Sequence, residues 1–357
     1  MKLLYITNGI NGAGGLERVL SVKASYFAEE YNYDVTILVL NNAHQNPFYQ
    51  FSSKINFQSV EVKGVIGYLK TYKFGIQKVV DFIKPDVISV CDDGFKGFFL
   101  PLIIRTEAKW IYERHVSKLV ESREDHSFFR NVMTKIKWRL MESLAKKFSR
   151  FILLTEENKK EWTSLNNVEV ISNPLSFYPE ESSDLNSKVV ICVGKISYQK
   201  GQDLLVKAWE KVHDKYPDWQ LHLYGKENLM VLNTDQLTNN IHYFPPAKDI
   251  EQKYLQSSIY VMSSRFEGFG MVLIEAMACG VPCVSFNCDY GPSDIIMDNV
   301  DGFIVEKENV HLLAEKINTL ITDNDLRNSF GKRAKINVAR YKAESIAKQW
   351  DKLFKNL

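Results

Sequence analysis

The chain has 357 residues, 45% of them hydrophobic and 25% charged, with 45 basic against 43 acidic side chains and a formal net charge of +2. That length exceeds what one ordinary core serves and suits two α/β domains. So balanced a charge supplies no global field to recruit nucleic acid, and no nucleic-acid partner is expected.

The opening residues read as a strand over 3–6 that runs into a polar loop, too short for the apolar core of a signal peptide. No later run approaches a membrane span, and a cytoplasmic location is expected. Residues 12–18 follow, with Gly12, Gly14, Gly15, Glu17 and Arg18. They superficially suggest a dinucleotide fingerprint, but Glu17 takes the place of its third glycine. Leu40, Asn41 and Asn42 offer no acid at the end of the second strand, and no P-loop sequence occurs, so no cofactor is expected.

Further strand-like runs over 35–40, 87–90, 110–112 and 151–154 alternate with amphipathic segments, and residues 1–175 read as a doubly wound domain. Asp92 and Asp93 are the nearest approach to a metal-binding acid pair and read as loop-capping residues. Arg114 reads as a ligand contact or, better, a strand-end surface charge. The segment 131–150 carries Lys135, Lys137, Arg139, Lys146, Lys147 and Arg150 around Trp138, Leu140, Met141, Leu144 and Phe148, with only Glu142 opposing. Two readings stand side by side: an amphipathic helix in peripheral contact with anionic lipid, or a helix packed on the first domain with a solvated basic face.

A turn-rich stretch from Asn173 and Pro174 to Asn186 marks a hinge. Residues 176–340 then repeat the alternation, with strands over 189–193, 221–224, 241–244, 259–262, 282–285 and 302–305. In the closing segment, 341–357, Ile346, Trp350, Leu353 and Phe354 stand at helical spacing and are expected to pack back on the first domain. No internal repeat or low-complexity tract is present. The five cysteines, at 91, 192, 279, 283 and 288, lack Cys-x-x-Cys spacing and read as reduced, buried thiols. Cys279, Cys283 and Cys288 have no histidine nearby and a strand between them, so no metal is expected there.

The most informative segment runs from Glu267 to Glu275, two acids separated by seven residues across Gly268 and Gly270. It reads as strand, loop, helix, strand. A helix N-terminus presents unpaired N–H groups and a partial positive charge, so a diphosphate can dock beside Gly268, Phe269, Gly270, Met271 and Val272 without side-chain donors. Glu267 would then face a sugar and Glu275 a ribose diol, since a carboxylate accepts from two hydroxyls at once. Glu275 sits in an apolar stretch that a parallel sheet would bury, where an unpaired carboxylate is costly.

With Glu267 to Gly280 as anchor, the chain resembles the retaining GT-B glycosyltransferases of family four, the glycosyl transferases group 1, over nearly its whole length. Gly14 to Arg18, Asn173 and Pro174, Val193 to Lys195 with Gln199 to Gly201, and Tyr290 to Ile296 agree with that family in order and distance. The resemblance implies two Rossmann-like doubly wound domains facing a central cleft. It implies transfer of a hexose or N-acetylhexosamine from a nucleotide-diphosphate sugar, UDP-linked by expectation, to a saccharide or lipid-linked saccharide in surface polysaccharide biosynthesis. By family expectation Gly14 and Gly15 let the backbone approach the donor sugar, Lys195 and Lys200 reach its phosphates, and His115 contacts the sugar near the reacting carbon. The family usually has Arg where Lys195 stands, and a point charge replaces a planar fork there. With Lys195, Lys200 and the helix N-terminus neutralising the departing diphosphate, Glu267 serves the sugar and no metal is needed. Two alternatives stay open: a sugar-nucleotide binder without turnover, which Lys195 favours, and a glycosidase using Glu267 and Glu275, which the helix cap between them disfavours.

Overall fold

Runs such as β4 (Val87–Cys91), buried at every residue, demand cover on both faces of a sheet. The computed structural model describes residues 1–40, 46–61, 68–92, 94–121 and 128–357, and supplies that cover twice. The chain divides into two compact units, Met1–Ser176 with Ala343–Leu357, and Phe177–Lys342.

Among the described residues, the first unit is built on a seven-stranded parallel sheet in the order β3-β2-β1-β4-β5-β6-β7. The flanking strands are β1 (Lys2–Thr7), β2 (Asp34–Leu40), β3 (Asn56–Val60), β5 (Lys109–Glu113), β6 (Arg150–Leu153) and β7 (Val168–Val170). Alternation along the strands sorts side chains between two layers. Leu4, Ile6, Ile88 and Val90 meet helices α2 (Tyr68–Ile83), α3 (Leu100–Ile103) and α4 (Phe128–Ala145) in one core. Tyr112 and Phe151 stack in the same layer, with centroids 5.3 Å apart. Helix α1 (Gly15–Glu29) packs instead against α11 (Ala343–Lys355), the last helix of the chain. Phe27 of α1 meets Phe354 at 5.4 Å, Tyr33 donates to Asp351, and Trp350 is 2% exposed.

The second unit carries a six-stranded parallel sheet, order β10-β9-β8-β11-β12-β13. Its strands are β8 (Val189–Val193), β9 (Gln220–Tyr224), β10 (Ile241–Phe244), β11 (Ile259–Met262), β12 (Cys283–Phe286) and β13 (Gly302–Val305). Leu205, Trp209 and Val212 of α5 (Gln202–His213) and Leu313, Ile317 and Leu320 of α9 (Val310–Thr322) close one core against these strands. The remaining helices are α6 (Ile250–Leu255), α7 (Met271–Ala278), α8 (Pro292–Ile295) and α10 (Asn324–Val338). Helix α7 is buried from Leu273 through Ala278, so it carries no polar face. All five cysteines are free and buried. Cys279 points its thiol at the Glu251 carbonyl and Cys283 at those of Leu273 and Val281. Among the described residues, no helix is long and apolar enough to cross a membrane.

Because α11 belongs to the core of the first unit, Trp350→Ala should destabilise that unit by about 3–5 kcal/mol. Urea unfolding followed by circular dichroism measures this, and a loss below about 1 kcal/mol would show that α11 contributes little to the packing.

Candidate functional site

The order of the second sheet reverses between β8 and β11. From β8 the chain steps outward through β9 and β10, then returns to the other side of β8 with β11. Loops leaving the carboxyl ends of two such strands diverge, and the crevice between them is the usual ligand position in an open α/β sheet. Lys200 lies in the loop after β8 and Glu267 in the loop after β11.

Their side chains meet. Lys200 Nζ donates to Glu267 Oε1 at 2.7 Å and to Oε2 at 2.9 Å, and Ser264 Oγ donates to Oε1 at 2.5 Å. Glu267 is only 5% exposed, and an acid so placed needs a countercharge, which Lys200 supplies. Cys192, Val193, Tyr260 and Val272 line the same narrow recess. Burial pushes the Cys192 thiol up to about 12, with Lys200 opposing, so it stays protonated at neutral pH and is no nucleophile. A larger cleft of about 460 Å³ between α5 and α9, lined by Lys211, Tyr216, His311 and Thr319, shares no residue with this recess.

Backbone contacts hold the two loops together. Gly201, with φ +63°, caps α5, and a Cβ there would overlap the Ser263 carbonyl oxygen. Ser263 Oγ donates to the Lys200 carbonyl at 3.0 Å, the Arg265 N–H to the Gln199 carbonyl at 2.8 Å, and Gln199 Nε2 to the Phe266 carbonyl at 3.2 Å. The Arg265 guanidinium forks onto Asp203 at 2.9 and 2.8 Å, donates to the Tyr198 carbonyl at 2.7 Å and lies 4.0 Å over the Tyr198 ring. It thus straps the Lys200 loop to the Glu267 loop from outside the recess. The loop after β12 joins them, because the Glu267 N–H donates to the Asp289 carbonyl at 2.6 Å and Gly291, at φ +116°, lies against the Phe269 carbonyl.

Helix α7 starts at Gly270, with φ +100°, and directs the N–H groups of its first turn out of the helix. The Phe269 side chain is buried against the Tyr341 ring at 5.6 Å, so only its backbone is available to a ligand. Met271 opens that turn, and Gly268 lies in the loop just before it. Glu275 lies deeper in α7, fully buried and reached by the Tyr254 hydroxyl at 3.5 Å, and it does not line the recess. The Lys195 side chain is exposed, while its carbonyl accepts from Ser197 Oγ and Gln202 Nε2.

In the first unit the switch falls between β1 and β4. Asn8 Nδ2 bridges the loops by donating to Asp92 Oδ1 at 2.6 Å, and the Gly94 N–H donates to the same oxygen at 2.7 Å, a capping role for Asp92. Asp93, like Asn41 and Asn42, lies outside the described residues. Gly14 caps α1, and a side chain there would collide with the Glu17 carboxylate, whereas a Cβ on Gly15 would meet open space. His115 Nε2 lies 3.4 Å from Glu113 Oε2. Glu113 is itself buried, hydrogen-bonded by Lys23 and, at 2.6 Å, by Ser89 Oγ. Burial drives the Glu113 carboxyl upward in pKa, but Lys23 and His115 outweigh it and hold it well below the usual range. Cys91, Glu113 and His115 form the one group of metal-ligand type among the described residues, and the ammonium of Lys23 already sits against its carboxylate. Arg114 corrects the surface-charge expectation. Its N–H pairs with the Ile152 carbonyl, which prolongs the strand pairing, and its guanidinium is buried 6.0 Å from the Trp162 ring. Sequence reasoning missed both the Arg265–Asp203 strap and the Lys23–Glu113 pair, although Arg265 and Asp203 closely flank residues it singled out.

A family model described as glycosyl transferases group 1 matches residues 177–337, nearly the whole second unit. The chain is 30% identical over 368 residues, 98% of each protein, to the amylovoran biosynthesis glycosyltransferase AmsD of Erwinia amylovora. It is 30% identical over 219 residues, 59% of this chain and 44% of the other, to a poly(ribitol-phosphate) alpha-N-acetylglucosaminyltransferase of Staphylococcus aureus. Among solved structures, S. aureus TarM aligns over 99% of both chains with a TM-score of 0.80 at 16% identity. Anabaena HepE, solved with UDP and glucose, aligns over 100% of both with a TM-score of 0.78 at 20% identity. At such identities these two likenesses speak for the fold.

The strap gives a pH-dependent prediction. Burial pushes the Asp203 carboxyl up, but hydrogen bonds and charge from Arg265 prevail and hold it below its ordinary value. A depressed folded-state value means the contribution is fully present above the unfolded value of about 3.9 and is lost as pH falls through the folded one. Arg265→Met should therefore lower the thermal midpoint most near neutral pH, and the gap to the parent should narrow as pH falls below about 4, leaving the part due to the Tyr198 contacts. Thermal melts across that range check it, and a gap constant with pH would remove the pair from the account.

Proposed function

The chain belongs to the glycosyl transferases group 1 family and has the GT-B fold, and on that premise we propose that it is a metal-independent retaining hexosyltransferase. The donor is a UDP-linked hexose or N-acetylhexosamine. The acceptor is a saccharide or lipid-linked saccharide of a surface polysaccharide.

The observation that carries this reading is the Lys200–Glu267 pair at the switch point, beside the open first turn of α7. A diphosphate brings more negative charge to Lys200 than Glu267 does, and the helix N-terminus adds donors on the other side. Once Lys200 turns to phosphate, the Glu267 carboxylate is free to accept from sugar hydroxyls. In retaining transfer without a protein nucleophile, the acceptor hydroxyl attacks the anomeric carbon from the face the diphosphate leaves. The bond from that carbon to the phosphate oxygen breaks, the bond to the acceptor oxygen forms, and the acceptor proton passes to the leaving phosphate. Positioning and charge stabilisation then carry most of the rate. Lys195, exposed at the mouth of the β8 loop, adds charge near the phosphates. The UDP and glucose present with HepE and the N-acetylglucosaminyl transfer named for the S. aureus relative support the choice of donor class.

Incubation with UDP-glucose, UDP-galactose and UDP-N-acetylglucosamine should reveal one donor consumed only when acceptor is present, equally with and without EDTA, giving a product of unchanged anomeric configuration by proton NMR. Lys200→Met should lower kcat/KM by about 100- to 1,000-fold. Glu267→Gln should slow transfer while sparing thermal stabilisation by free UDP, whereas Glu275→Ala should abolish that stabilisation. Donor hydrolysis independent of acceptor, an inverted product, or UDP binding without consumption of any donor would overturn the proposal.

A further inference from the structure

Helices α2, α3 and α4 cover one face of the first sheet. Their inward residues, Tyr72, Ile76 and Val80, then Leu100, then Met141 and Leu144, lie in one core. With that stripe buried, a surface helix ordinarily turns polar side chains outward. These do not. Eight of the fifteen exposed large hydrophobic side chains among the described residues lie on these three helices. Phe82 is 82% exposed, Leu69 74%, Phe74 60% and Leu102 55%. On α4, Val132, Ile136 and Leu140 recur every fourth residue, opposite Met141, Leu144 and Ala145, so the helix is apolar on two sides. A concentration of this kind marks an interaction surface.

Charge identifies the partner. Lys70, Lys73, Lys78, Lys135 and Arg139 stand exposed among these apolar groups, and Asp81 is the exposed acid of the three helices among the residues whose side chains are described. Glu142 is taken up by Lys118 at 2.6 Å and Ser164 at 2.7 Å. A second copy docked on this face would set cation against cation. A bilayer rich in anionic phospholipid meets both features, since headgroup phosphates take the lysines and the acyl boundary takes the rings and aliphatic chains.

We propose that the outer face of α2, α3 and α4 docks the first unit on an anionic membrane surface. The inference does not rest on the transfer reaction. It extends over three helices rather than one basic segment, and contact is interfacial, because none of them is long and apolar enough to span a bilayer.

Co-sedimentation of the full chain with vesicles of phosphatidylglycerol and phosphatidylcholine, against phosphatidylcholine alone, tests it. Pelleting is expected with the anionic vesicles only, and should weaken between about 0.05 and 0.5 M salt. Lys135→Glu with Arg139→Glu should lower the partition coefficient at least roughly fivefold per cation removed. Ile136→Glu with Leu140→Glu should abolish pelleting while thermal stabilisation by UDP is retained, which shows an intact fold. Because Lys135, Arg139, Ile136 and Leu140 lie outside the donor site, loss of vesicle binding with nucleotide binding kept is separable from failure of the functional reading. No pelleting with either vesicle, equal pelleting with both, or a concentration-dependent dimer in solution that Ile136→Glu disrupts would overturn the proposal.

Discussion

A carboxylate cannot be left alone in a protein interior, and the placement of Glu267 at 5% exposure sets the terms for the loops around it. It must be met by a cation, so the loop after β8 has to deliver Lys200 to the end of β11. That delivery requires Gly201, because its backbone lies against the Ser263 carbonyl where a side chain would not fit. It also requires an anchor, because a loop held by one buried pair alone would be free to rotate about it. Arg265 is that anchor. It lies two residues before Glu267 and holds Asp203, three residues after Lys200, so the two sides of the recess are fixed by charges facing opposite ways along the chain.

The first unit repeats the solution with other parts. Glu113 ends β5 as Lys23 reaches it from α1, and Ser89 takes its second oxygen. The lysine is enclosed by the Tyr5 ring at 5.2 Å and the Trp350 ring at 4.3 Å, so its charge is satisfied by an acid on one side and by π-faces on the others. His115 approaches the same carboxylate and is thereby held at the end of the strand. A buried charge pair of this type is weak as a source of stability but strict about geometry. Both units place one beside the loops that leave their strands.

The strands were legible wherever they are buried on both faces, since continuous apolar runs such as 189–193 and 259–262 match β8 and β11 residue for residue. The edge strands of the first sheet were not. β3 reads Asn56, Phe57, Gln58, Ser59, Val60, too polar to stand out, and β7 is three residues long. Glu275 was legible as a buried acid because its neighbours are apolar, but its approach to Tyr254 was not, since that partner lies 21 residues away on another helix. Arg265 and Asp203 escaped for the same reason at 62 residues, as did Lys23 and Glu113 at 90. Local pattern carries burial and period, whereas the identity of a distant partner depends on topology. Leu140 shows the other limit: it stood with Met141 in the sequence pattern, yet one step of 100° along a helix turns it outward.

The crossing of α11 back to the first sheet makes that unit discontinuous, interrupted by the whole of the second. During synthesis, residues 177–342 are made while the earlier half still lacks the helix that covers Phe27 and Lys23. The amino-terminal Rossmann layer therefore stays unfinished, with an uncovered apolar seam, throughout synthesis of the later-made one. A nascent chain stalled near residue 340 would expose that seam to chaperones.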